Sequence, residues 1–189
     1  MTAPTPARRV YFLPGRGAAL DGRLGTELAA RGFEVIGRET RPPFSDLDYP
    51  SQVAHINADL DALGSSCRHI VAHSFGGYLA LSALLTRTTF DGVVVLVSPV
   101  ASNIRRGFNS WRLPANAKFW QAWARRTDRP LATYLWLGVG ECDWQSPADI
   151  NRRILSMGPG ELLIQPGGGH ELPAPFVQAM LDQAGIRRA

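Results

Sequence analysis

Short apolar runs alternate along the chain with longer segments whose apolar residues recur every three or four positions. Arg9 to Leu13 reads as a first strand. Leu20, Leu24 and Leu28 repeat at four-residue spacing, which predicts a helix that stops at Gly32. Phe33 to Ile36 reads as a second strand, and a Pro-rich loop follows from Arg41 to Pro50. Val53, Ile56, Leu60 and Leu63 mark one face of a second helix, ended by Gly64. Ile70-Val71-Ala72 is a short buried strand, and the apolar stretch from Tyr78 to Leu85 is a buried helix. Gly92 to Val97 is purely apolar, the pattern of a strand covered on both faces, and Leu131 to Leu137 is another. Ser146-Pro147 makes a helix start, with proline at the first helical position. Glu161 to Ile164 is a last short strand, and Phe176, Val177, Met180, Leu181 and Ala184 form a final amphipathic helix.

Six strands alternating with helices predict the α/β class: a three-layer α/β/α sandwich around a mostly parallel sheet. A chain of 189 residues suits one domain with one sizeable core. No internal repeat is visible, and residues 1–8 read as a loose tail. The segment from Ala101 to Pro130 breaks the rhythm and concentrates Phe108, Trp111, Phe119, Trp120 and Trp123 among arginines.

Composition narrows the function classes. No run approaches the ~18 apolar residues of a membrane span. The stretch Met1 to Arg9 lacks the apolar core of a signal peptide, so a cytoplasmic protein is expected. The net charge of +4 comes with arginine pairs scattered along the chain, the pattern of solvated faces rather than of a nucleic-acid surface. Cys67 and Cys142 suggest neither a disulfide framework nor a metal site; no cofactor or metal is expected.

One stretch carries chemistry. Between the strand Ile70-Val71-Ala72 and the helix that follows stands a single hydroxyl, Ser74, flanked by Ala72, Gly76 and Gly77. A strand turning directly into a helix crosses itself tightly and needs small residues on either side of the turn. The turn then pushes one side chain out at the sheet edge and aims a helix N-terminus at it. A Ser hydroxyl needs a base to take its proton, and the base needs a partner to orient it.

The stretch His73-Ser74-Phe75-Gly76-Gly77, with Ala72 in place of the usual first glycine of G-x-S-x-G, resembles the nucleophile elbow of the α/β-hydrolase superfamily. The resemblance runs over nearly the whole chain. It implies a minimal version of that fold, with strand order 2-1-3-4-5-6 and without the usual antiparallel pair at the start. It also implies a Ser, acid, His order. Of His55, His69, His73 and His170, only His170 lies after every candidate acid, in the Gly-rich loop Gln165 to Glu171. His73 directly precedes Ser74 and is expected to point elsewhere; His55 and His69 are expected to be structural or exposed. Asp143 matches the family's placement of the acid, with Glu141 as the alternative, while Asp149 suits the N-terminus of the next helix. For the oxyanion, the family pattern implies the backbone N–H of Phe75 and a second donor from Leu13-Pro14-Gly15-Arg16-Gly17. Arg16 is the best match and Gly17 the second choice; Pro14-Gly15 replaces the His-Gly frequent in the family.

The resemblance therefore implies a serine hydrolase, esterase- or thioesterase-like, with Ser74, Asp143 and His170 as catalytic residues and, as its small-molecule substrate, an ester or thioester of a small to medium apolar acyl group. In the family an insertion at Ala101 to Pro130 often caps the site, which makes Trp111, Trp120 and Trp144 candidate substrate contacts; packing on the core is the alternative. A catalytically idle protein of the same fold that binds a ligand or a partner is the competing reading. The missing antiparallel strands would expose an edge at the second strand, with Glu34, Arg38 and Glu39 as guards; a homodimer through that edge is compatible with this pattern.

Overall fold

The computed structural model describes residues 8–87, 90–101, 132–156 and 158–188. Six strands form one sheet: β1 (Arg8–Leu13), β2 (Phe33–Gly37), β3 (His69–His73), β4 (Phe90–Val97), β5 (Ala132–Gly140) and β6 (Gly160–Gln165). Their order is β2-β1-β3-β4-β5-β6, and every neighbouring pair is parallel. The expected order is thus observed, in a sheet that is fully rather than mostly parallel.

Among the described residues, five α-helices pack on the sheet: α1 (Arg23–Ala30), α2 (Tyr49–Leu63), α3 (Phe75–Thr86), α4 (Ala148–Leu155) and α5 (Ala174–Gln183). Side chains alternate along each strand, so the sheet feeds two cores. Tyr11, Leu13, Ile70, Ala72, Val94, Leu96, Leu135 and Leu137 face α2, α3 and α4. Val10, Phe12, Val71, Val95, Val97 and Trp136 face α1 and α5. The strands at the centre are covered on both faces, which is why Gly92 to Val97 reads as an unbroken apolar run.

Several boundaries differ from the sequence pattern for local reasons. β5 runs on through Gly138-Val139-Gly140, because these residues keep pairing with Leu163, Ile164 and Gln165 of β6. α2 begins at Tyr49, inside the expected loop, because the Asp48 side chain accepts a hydrogen bond from Ser51 N at 2.8 Å and caps the helix. Leu20 stands before α1 rather than in it. Arg8, expected in the tail, belongs to β1; the rest of the expected tail, residues 1–7, and the segment 102–131 lie outside the described residues. Strand β2 is an outer strand, and its guards are engaged within the chain: Glu34 with Arg9, Arg38 with Asp59, and Glu39 with Arg41. No helix among the described residues is long and apolar enough to cross a membrane.

Two features fix the positions of the elements, one at each edge of the sheet. The first is the crossing of α3 over the end of β1. A Cβ on Gly76 would stand 2.2 Å from Leu13 O and 2.4 Å from Pro14 O, so glycine lets the helix and the first loop touch backbone to backbone. The second is Arg31, only 2% exposed. Its guanidinium donates to Glu27 Oε1 at 2.8 Å, to Ile186 O at 2.6 Å and to Asp182 Oδ1, joining α1 to α5 and the C-terminal segment. Burial alone would push the Glu27 carboxyl up; hydrogen bonds from Arg31 and Gln178 outweigh it and hold the group below its ordinary value.

Two stability predictions follow from these contacts. Arg31→Met should lower the unfolding free energy in urea by about 3 kcal/mol, since it leaves Glu27 and the Ile186 carbonyl without their donor. Arg31→Lys should recover little of this, because one ammonium cannot reach three acceptors in a plane. Gly76→Ala should cost about 2 kcal/mol or more in the same assay. The control Gly169→Ala, where a Cβ meets nothing within 4 Å, should stay within about 0.5 kcal/mol of the parent.

Candidate active site

β3 ends at His73, α3 begins at Phe75, and the single residue between them is Ser74. Ser74 stands at φ 53°, ψ −118°, a region a non-glycine residue occupies only when its surroundings enforce it. Those surroundings are hydrogen bonds at both ends: Ser74 N donates to Val97 O at 2.9 Å, and Ser74 O accepts from Val100 N at 3.0 Å and Tyr78 N at 3.2 Å. The hydroxyl therefore projects beyond the strand edge instead of following the alternation of β3.

His170 and Asp143 arrive from the neighbouring strands of the same edge. The loop after β5 and the loop after β6 are knit together by three bonds: Glu141 N to Gln165 O at 3.0 Å, Cys142 N to Gly168 O at 2.8 Å, and Gly167 N to Glu141 Oε2 at 2.8 Å. Gly140 permits this approach, since a Cβ there would fall 2.2 Å from Gly169 O. Ser74 Oγ lies 2.8 Å from His170 Nε2, and His170 Nδ1 lies 2.9 Å from Asp143 Oδ2. This network suits an imidazole that carries its proton on Nδ1, donates it to the carboxylate and presents Nε2 to the hydroxyl.

The carboxylate of Asp143 is fully buried, and its second oxygen, Oδ1, accepts from Gln145 N at 2.9 Å and Ser146 N at 3.2 Å. Two backbone donors and one imidazole satisfy a charge that would otherwise be costly to bury. Glu141, the alternative acid, is exposed and turned toward Gly167, away from the imidazole. Asp149 lies exposed in the first turn of α4.

The loop after β1 passes beside the hydroxyl: a Cβ on Gly15 would be 3.6 Å from Ser74 Cβ. Residues 15–18 form a turn closed by Ala18 N to Gly15 O at 3.1 Å. Gly17 N donates to Thr40 O at 3.0 Å, so the second-choice oxyanion donor is already engaged. No sequence pattern marks Thr40. It is buried, its hydroxyl donates to Gly15 O and accepts from Ala18 N, and it pins the turn that carries Arg16. The Arg16 guanidinium lies 5.7 Å from the centre of the Phe75 ring, and burial lowers its pKa.

His73 departs from expectation. Its ring lines the same cavity as Ser74 and His170, with its centroid 6.0 Å from that of His170. The left-handed turn at Ser74 breaks the two-residue alternation, so adjacent side chains end on one wall. Burial, and then the Arg23 guanidinium, lower the pKa of His73 against the opposing pull of Glu171, whose Oε1 is 3.9 Å from Nε2. His69 packs edge-on against Phe33 and His55 is exposed on α2, as expected.

The cavity has a volume of about 510 Å³ and is lined by Ser74 and His170 and by residues of α1 and α5. Trp144 is 44% exposed and does not line it; Trp111 and Trp120 lie outside the described residues. Among the described residues, no cluster of three His, Cys, Asp or Glu is placed to hold a metal ion.

Comparison with known proteins places the chain. Residues 9–138 match the model of the alpha/beta hydrolase family. No curated protein matches the sequence significantly. Solved structures share the fold at low identity. The monoacylglycerol lipase of Paleococcus ferrophilus has a TM-score of 0.68 at 17% identity, over 96% of this chain and 94% of that one. Mouse alpha/beta hydrolase domain-containing protein 10 gives 0.67 at 13% identity, over 98% and 91%. Est1E from Butyrivibrio proteoclasticus gives 0.65 at 13% identity, over 96% and 87%. With the family model covering well over half of the sequence, and with its strand order and turn geometry in agreement, the chain belongs to the alpha/beta hydrolase family.

Proposed function

We propose that the protein is a serine hydrolase that cleaves a carboxylic ester or thioester of a small to medium acyl group through an acyl-enzyme. The observation that carries this reading is the unbroken chain Ser74 Oγ–His170–Asp143, with contacts of 2.8 and 2.9 Å. In it, Ser74 Oγ attacks the substrate carbonyl while His170 Nε2 takes the hydroxyl proton. The imidazolium is held by the Asp143 carboxylate, whose orientation is set by Gln145 and Ser146.

The oxyanion forms over the N-terminus of α3. The Phe75 amide lies in the first helical turn, where N–H groups have no intrahelical acceptor and the helix dipole favours negative charge. The Arg16 amide, on the turn held by Thr40, is the second donor of this reading. Collapse of the tetrahedral species breaks the bond to the leaving alcohol or thiol, which takes the proton from His170. Water then attacks the acyl-Ser74 ester, giving its proton to His170, and the acid leaves as Ser74 is restored.

Supporting the reading are the strained turn, which presents Ser74 ahead of the helix N-terminus, and the apolar cavity walls beside it. Ser74→Ala should cut turnover of p-nitrophenyl butyrate by roughly 10³-fold or more and abolish labelling by a fluorophosphonate. An active or labelled Ser74→Ala protein, or a parent that neither turns over nor labels, refutes the assignment. Between the carboxylates, Asp143→Asn should lower kcat by roughly 10³–10⁴-fold through the wrong imidazole tautomer, whereas Glu141→Gln should cost less than about tenfold. The reverse ranking in steady-state kinetics would overturn the choice of acid.

A further inference from the structure

We infer that the cleft between α1 and α5 is the acyl pocket of this site, and that it selects an apolar chain ending in a hydrogen-bond donor such as a hydroxyl. This rests on the serine hydrolase reading above. Both helices follow a parallel strand, so both start at the edge where Ser74 lies and run back along the sheet. The cavity follows them: it is lined by Arg23 and Glu27 on α1 and by Ala174 and Gln178 on α5. Four residues of helix correspond to a descent of about 6 Å. Phe12, Leu24 and Val177 make the walls apolar on the way down.

The floor is polar. Gln178 Nε2 donates to Glu27 Oε2 at 3.1 Å, and Glu27 Oε1 accepts from Arg31 at 2.8 Å, with Arg188 at 3.5 Å. The charges of Glu27 and Asp182 balance those of Arg31 and Arg188, which gives the floor no net sign to attract an ion. The amide nitrogen of Gln178 is turned to Glu27, which directs its carbonyl oxygen away from that bond as an acceptor. A chain of apolar carbons alone would desolvate the Gln178 Oε1 acceptor without compensation, whereas a terminal hydroxyl donates to it. Glu27 and Gln178 thus act as specificity-determining residues.

Binding is read apart from catalysis by calorimetry on the Ser74→Ala protein, titrated with methyl 6-hydroxyhexanoate and methyl hexanoate. The hydroxy ester should bind roughly three- to tenfold tighter. In Ser74→Ala/Gln178→Leu the preference should reverse, with thermal melting reporting that the double variant is folded. Ala174→Trp, which narrows the cleft from an exposed position, should weaken both esters together. An equal or opposite preference, no binding of either ester, or binding insensitive to Ala174→Trp overturns the proposal. A parent protein without esterase turnover, whose Ser74→Ala form keeps the binding preference, refutes the hydrolase reading alone.

Discussion

A helix that leaves a buried strand without an intervening loop must pivot on one residue, and in this chain the pivot is Ser74. Its left-handed backbone is a local cost, of order 1–3 kcal/mol for such conformations, that only the surrounding structure can offset. The offset comes from bonds to β4 and its following turn, through Val97 and Val100, and from the close passage of α3 over Leu13 and Pro14. Three consecutive elements are thereby locked around one hydroxyl. The same pivot explains why His73 and Ser74, neighbours in sequence, face one cavity.

The carboxylate follows a different logic. Asp143 is buried and Glu141 is exposed, two residues apart on one loop. The loop after β5 turns so that two backbone amides ahead of α4 point at Asp143 Oδ1, while His170 reaches Oδ2. Glu141 instead fastens the loop bearing His170 through Gly167. One carboxylate orients an imidazole, and the other holds in place the loop on which that imidazole rides. Thr40 does the corresponding work on the opposite side of the hydroxyl, where it clamps the turn from Gly15 to Ala18.

Below this edge the two faces of the sheet differ. On the face of α2, α3 and α4 the buried side chains form one cluster, and Tyr11, Asp59 and Arg38 form a hydrogen-bonded group beside it. On the other face α1 and α5 part at their first turns and leave a cavity, then close on Arg31. A buried guanidinium holding two carboxylates and a carbonyl is a rigid base for that opening. It separates a packed lower half from an open upper half of the same pair of helices.

The amino-acid order by itself determined the class of fold, the sheet order implied by family resemblance, and the strand-to-helix turn at Ser74. These are written in short-range patterns: apolar runs of strand length, helical spacing, and small residues around one hydroxyl. It also named His170 and Asp143, since each stands in a loop after a legible strand. The contacts of Asp143 and Glu141 come only from the tertiary structure, because both lie on the same loop and its turn sets which one two amides and an imidazole face. The role of Thr40 and the placement of His73 were likewise illegible. One depends on contacts across more than twenty residues, the other on a backbone angle that reverses the ordinary alternation. The cavity between α1 and α5 belongs to neither helix alone; it is lined by the first turns of both, and Arg31 joins the helices at the far end of α1.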